Sequence, residues 1–174
     1  DHIGIASAGH VADARQLIDM ARRQAQVNQL RYGEPIGIET LTKEVTDHIQ
    51  QYTQVGGARP FGVALIIGGV ENGEPRLYET DPSGTPYEWK ALAIGASRGE
   101  IEDYLEEHYG DDMSLDDGVE LALAALETVS DDEGIEPDGV GLATIPVETA
   151  KFETLGTEDI RDYLERFDLL ADEE

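Results

Sequence analysis

Residues 50–70 read Gln50-Gln51-Tyr52-Thr53-Gln54-Val55-Gly56-Gly57-Ala58-Arg59-Pro60-Phe61-Gly62-Val63-Ala64-Leu65-Ile66-Ile67-Gly68-Gly69-Val70. Physically this is the end of a helix, a glycine stop, a turn and a strand. Gly56 and Gly57 take the left-handed conformation that closes a helix at little cost, and Pro60 forbids its resumption. The apolar run 61–67 suits a strand covered on both faces.

Working outward, residues 3–7 read as a short strand. Apolar residues at 11, 14, 17, 18, 21 and 25 have helical spacing over 11–30, with Asp13 near the positive N-terminal end. Leu41, Val45, Ile49 and Tyr52 mark a second amphipathic helix. Three strand-like runs follow at 61–70, 76–80 and 88–94, the last two separated by Asp81-Pro82-Ser83-Gly84, a type I turn sequence. Ser97 with Glu100 has capping-box form and opens a helix through His108, burying Ile101, Tyr104 and Leu105. Ser114 with Asp117 has the same form and opens a helix over 115–129. Residues 131–138 make a polar loop, and 140–147 with 151–155 a hairpin around 148–150. Thr157 caps a last helix with Ile160, Tyr163, Leu164, Phe167 and Leu170 on one stripe. Strand runs separated by helix pairs predict an α+β fold of packed sheets flanked by helices, in one domain over 1–174.

The chain carries 12 basic and 38 acidic residues, a formal net charge of −26. Such a surface repels nucleic-acid phosphates and anionic membranes. At molar salt the Debye length shrinks to about 3 Å and most self-repulsion disappears, so the composition fits a salty cytoplasm. An acidic mimic of nucleic acid is the competing reading. The charge is uneven. Residues 1–60 hold seven acids and six bases, net −1; residues 61–120 hold fifteen and three, net −12; residues 121–174 hold sixteen and three, net −13. Interface cores are depleted in charged residues, which makes the neutral third a candidate contact face. Greater burial of that third accounts for its composition equally well.

There is no cysteine, hence no disulfide, thiolate metal site or thiol nucleophile. No apolar run is long enough to span a bilayer, and no signal peptide opens the chain. Gly95-Ala96-Ser97-Arg98-Gly99 matches the Gly-x-Ser-x-Gly nucleophile elbow. The only histidine after Ser97 is His108, on the helix that Ser97 itself opens, so the serine has no base. His2, His10, His48 and His108 have no metal-ligand spacing. The acids around Asp111-Asp112 and Asp116-Asp117-Gly118 fail the calcium-loop register and read as solvated surface. No catalytic residue, metal site or cofactor is expected.

Ser7-Ala8-Gly9-His10-Val11-Ala12-Asp13-Ala14-Arg15, residues 50–63, Asp81-Pro82-Ser83-Gly84 and Ala93-Ile94-Gly95 together resemble archaeal-type proteasome α subunits, over essentially the whole chain. The resemblance implies a four-layer α-β-β-α sandwich of the N-terminal-nucleophile-hydrolase type, truncated at the N-terminus so that its first strands and gating segment are absent. It implies a non-catalytic member of the 20S core particle of a threonine-type endopeptidase, in a homo-oligomeric, seven-membered α ring in the cytoplasm. The implied partners are other α subunits, proteasome β subunits, a regulatory AAA ATPase and unfolded protein substrates in transit. By the same resemblance Gly9 and His10 line the pocket for ATPase tails. Val55, Gly56, Gly57, Ala58 and Arg59 line the ring's entrance pore. The alternative of another class is a catalytic N-terminal-nucleophile hydrolase of β type, for which the beginning Asp1-His2 offers no threonine.

Overall fold

A computed structural model describes residues 1–131 and 134–172. Strands β1 (Ile3–Gly9), β2 (Val63–Glu71), β3 (Glu74–Thr80) and β4 (Pro86–Glu88) form one antiparallel sheet in that spatial order. Helices α1 (Val11–Tyr32) and α2 (Ile38–Gln54) intervene between β1 and β2 and cover one face. Their apolar stripes, Leu17 and Met20 on α1 and Leu41, Val45 and Ile49 on α2, meet Val63, Leu65, Ile67 and Tyr78 of the sheet. Each fully buried Leu, Ile or Val here contributes roughly 1.5–3 kcal/mol. Gly33 closes α1 with φ +71° and donates its N–H to Gln29 O at 2.9 Å.

The alternation along the strands explains the two faces. Ile3, Ile5, Leu65 and Ile67 point toward the helices, whereas Gly4, Ala6, Ala8, Ala64 and Gly68 line the opposite face. Apart from Ile66, which shares this face, its residues are small and let a second layer approach closely. A Cβ on Gly4 would meet the Phe152 ring at 2.7–2.8 Å, and Phe152 N–H donates to Asp1 O at 2.8 Å. Phe152 precedes β6 (Glu153–Thr154), which pairs with β5 (Ala143–Thr144). Helices α3 (Arg98–His108), α4 (Leu115–Glu127) and α5 (Thr157–Arg166) build two further apolar clusters, one centred on Leu105 and Leu121 and the other on Leu123 and Leu164.

Several local expectations need correction. Gly57 has φ +91°, but Gly56 does not share the left-handed region, and Val55 intervenes in extended conformation after α2. The two glycines form a turn beyond the helix, closed by Ala58 N–H on Val55 O at 3.2 Å. The strand predicted over 61–70 starts at Val63. Its second face is half-buried, since Ala64, Ile66 and Gly68 alternate with buried Val63, Leu65 and Ile67. The strand predicted over 88–94 ends at Glu88, with one further bond from Trp89 N–H to Leu77 O, 2.9 Å. Ser97 precedes α3 but makes no capping bond, because its backbone is left-handed at φ +55°. Thr157 is the first residue of α5; Gly156 stands at the cap, and the Thr157 hydroxyl donates to Asp138 instead, 3.1 Å.

Other expectations hold. Ser114 and Asp117 form a reciprocal capping box at α4. The Asp81–Gly84 turn is closed by Gly84 N–H on Asp81 O, with Asp81 Oδ1 accepting from Ser83 and Thr85. The 140–155 hairpin is present, though each strand has two residues. Of the polar loop at 131–138, residues 132 and 133 lie outside the described residues.

Candidate functional site

Strand β1 ends at Gly9, and the chain enters α1 one residue later. Gly9 has φ +120°, and its backbone passes against Gly62 just before β2. His10 sits at the helix cap without a side-chain capping bond, and its N–H donates to Gly62 O at 2.9 Å. The first turn of α1 then presents Asp13, which is 5% exposed. A buried carboxylate needs partners, and Asp13 has them on both oxygens. Oδ1 accepts from Arg59 Nη2 at 2.6 Å, and Oδ2 accepts from Gly62 N–H at 2.8 Å. His10 Nδ1 stands 3.5 Å from Oδ1. The Arg59 hydrogen bond and then that of Gly62 hold the Asp13 carboxyl below its ordinary pKa, and Asp13 in turn raises that of Arg59.

The structure thus joins two segments 46 or more residues apart in the chain. His10, Arg59 and Gly62 converge around Asp13, with Gly9 packed against Gly62; Val55, Gly56, Gly57 and Ala58 stand outside that knot as a projecting turn. The base of this turn is fixed, with Phe61 against Tyr52 and His48 at ring distances of 4.7 and 5.8 Å. Its tip is open: a Cβ on Gly56 or Gly57 would meet nothing within 4 Å, and Val55 is 59% exposed. Two surface clefts, one lined by Ser130, Ile135, Pro137 and Arg161 and the other by Leu155, Asp159 and Tyr163, involve neither Gly9 nor His10.

The Gly95–Gly99 segment has a different task from nucleophile display. Arg98 makes a bidentate pair with buried Glu79 of β3, and Trp89 Nε1 donates to Glu79 Oε2 at 3.0 Å. This cluster pins α3 beside the sheet. His108 Nδ1 lies 2.8 Å from Tyr104 O, and its ring stacks on Tyr104 at 4.0 Å. Among the described residues no group of three or more His, Asp or Glu side chains is arranged to hold a metal ion. No helix of the described residues is long and apolar enough to cross a membrane.

Asp13 escaped the sequence reading as anything beyond a helix-start acid. Its burial and its partners at Arg59 and Gly62 are tertiary, and no local pattern announces them.

The mixed α+β fold, with two helices between the first two strands of an antiparallel sheet and a short projecting turn after the second helix, is consistent with a proteasome-type subunit. Residues 1–145 match the family described as "Proteasome subunit", and the chain belongs to that family. It is 75% identical over 170 residues to "Proteasome subunit alpha 1" of Haloarcula marismortui, covering 98% of this chain and 65% of that protein. It is 73% identical over 174 residues to "Proteasome subunit alpha 1" of Haloferax volcanii, covering 100% of this chain and 69% of that protein. It is 70% identical to "Proteasome subunit alpha" of Natronomonas pharaonis over 175 residues, 100% of this chain and 68% of that one. The chain spans about two thirds of the length of these curated relatives, all of them halophile α subunits.

Proposed function

We propose that this chain is a non-catalytic α-ring subunit of a cytoplasmic 20S proteasome core, adapted to high salt. The observation that carries the reading is 70–75% identity to α subunits along nearly the whole chain. Residues 1–174 form one α-type domain, and the two helices, the four-stranded sheet, the β5–β6 ladder with Phe152 and the outer helices α4 and α5 are the layers of an α-β-β-α sandwich. Gly9 and His10 contribute to a pocket for the tails of a regulatory ATPase. Val55–Arg59 line the pore through which unfolded substrates pass, and the projecting glycine turn on a fixed base supports that role.

Contacts with neighbouring α subunits and with the β ring use the nearly neutral first third. Helix α1 supports this assignment, for it exposes Val11 at 71%, Leu30 at 85% and Tyr32 at 69% among few carboxylates. Among the described residues no hydrogen bond joins Ser97 to a base, which supports a chain that alone cleaves no peptide. Native mass measurement of the full chain, with and without a β partner, in molar volatile salt tests the reading. Seven-membered rings are expected. A persistent monomer, or peptide turnover that Ser97→Ala abolishes, overturns it.

A further inference from the structure

The Asp13 knot has a mechanical consequence beyond stability. The carboxylate is buried, and each of its two oxygens accepts from a group 46 or more residues further along the chain. Arg59 is the last residue of the projecting turn, and Pro60 fixes the backbone angle directly after it. The Asp13–Arg59 pair is therefore a hold on the turn as it runs into β2, beside the packing of Phe61 on Tyr52 and His48 at its base, while a side chain added at Gly56 or Gly57 would meet nothing within 4 Å. Oδ1 also lies near a second nitrogen, that of the His10 ring. Arg59 Nη2 holds it at 2.6 Å while the His10 ring waits at 3.5 Å, and both side chains are more than half exposed. A cation at position 10 that closes on Oδ1 weakens the hold on Arg59.

We infer that Asp13 is a positioning residue that couples the Gly9–His10 segment to the Val55–Arg59 turn, so that a change of charge or contact at His10 is transmitted through one carboxylate to the turn. Its meaning for pore and pocket rests on the function proposed above; the coupling itself does not. Coupling of this kind is reciprocal, and it disappears when the shared group is removed.

Amide hydrogen exchange by NMR on the full chain at molar KCl tests it. Gly62 N–H reports on Asp13 directly, and Ala58 N–H reports on the turn through its bond to Val55 O. Arg59→Gln and Asp13→Asn should each speed exchange at Ala58 roughly tenfold, the scale of a lost charge-assisted hydrogen bond, and Asp13→Asn should do so at Gly62 as well, while Leu65 and Ile67 stay unchanged. His10→Lys should speed Ala58 in the wild-type background and do nothing further with Asp13→Asn. The pair Arg59→Gln with Asp13→Asn should exceed neither single variant at Ala58.

Additive effects of that pair, or an Ala58 amide indifferent to both Arg59→Gln and His10→Lys, overturn the coupling. Those two exposed substitutions keep the test decisive if Asp13→Asn does not fold. The same variants in assembled particles should alter peptide admission in the same rank order. Unaltered admission beside altered exchange would remove the pore-loop assignment and leave the coupling standing.

Discussion

Gly9 and Gly62 pass so closely that a Cβ on Gly9 would collide with the Gly62 carbonyl oxygen and sit 3.1 Å from Val63 Cα. That oxygen already accepts the His10 N–H, so it has no freedom to retreat. The φ of +120° at Gly9 adds a backbone penalty for any side chain. Gly9→Ala should therefore cost about 2 kcal/mol or more, a drop of roughly 4–8 °C in melting midpoint for a chain of this size. Circular dichroism melts at 2 M KCl measure it. An unchanged midpoint would mean that the β1–β2 end is looser than its geometry.

Thr80 supplies a prediction of opposite sign. Its hydroxyl is buried with no hydrogen-bond partner, whereas the equally buried Thr42 donates to Ile38 O at 2.9 Å. An orphaned buried hydroxyl costs about 1–3 kcal/mol, and valine has nearly the same shape without it. Thr80→Val should stabilise the chain by about 1 kcal/mol, and Thr42→Val should not. Urea titration of both variants decides between them; equal shifts would show that burial alone, not satisfaction, governs these sites.

Much of this fold was legible because its signals are local. The 3.6-residue spacing of Leu17 and Ala21, or of Leu41, Val45 and Ile49, needs no knowledge of what it packs against. The turn between β2 and β3 is local too. Asn72 and Gly73, at φ +53° and +80°, form the tight two-residue hairpin that joins β2 to β3. Ser97 shows the limit of local pattern. Its spacing to Glu100 suits a capping box, but Arg98 must reach Glu79, 19 residues back, and the backbone turns left-handed beside that anchor. The Asp13 knot shows the same limit. Gly9, His10 and the Val55–Arg59 turn are visible through resemblance, while the carboxylate that joins them is visible only once the chain is folded.

Acid should act in two windows. His48, set among the Tyr52 and Phe61 rings, has its pKa lowered by burial and then by Arg23. The unfolded chain therefore binds a proton near pH 6.5 that the folded chain refuses, and stability falls as pH drops below that value. Asp13, Glu88 and Asp117 are held low chiefly by Arg59, Arg76 and Ser114 respectively. Their contribution is full above the unfolded values of 3.8 and 4.5 and is lost as pH falls through the lower folded values. At 2 M KCl, where general repulsion is screened, His48→Leu should flatten the upper window and leave the lower one. A slope near pH 6 that survives this substitution would assign it to another group.

Salt should act through the whole surface rather than through particular pairs. The net charge is −26, and −25 of it falls after residue 60, the sum of −12 and −13 in the two later segments. The ion pairs Lys90–Asp111 at 3.8 Å and Arg22–Asp19 at 3.4 Å are exposed, and such pairs contribute less than about 1 kcal/mol each. Screening them loses little, whereas screening the crowded carboxylates of α3, α4 and α5 relieves repulsion that opposes the compact state. The Debye length falls from about 10 Å at 0.1 M to about 3 Å at 1 M, so relief is nearly complete by then. Removing some 3 kcal/mol of repulsion raises the midpoint by roughly 6–12 °C in a chain of this length. Melting curves between 0.1 and 2 M KCl should rise by that amount and level off near 1 M. Potassium chloride and tetramethylammonium chloride at equal ionic strength should act alike, because screening is indifferent to the cation. A flat midpoint would show that the acidic surface has another purpose, and a rise with potassium alone would replace general screening with specific cation binding.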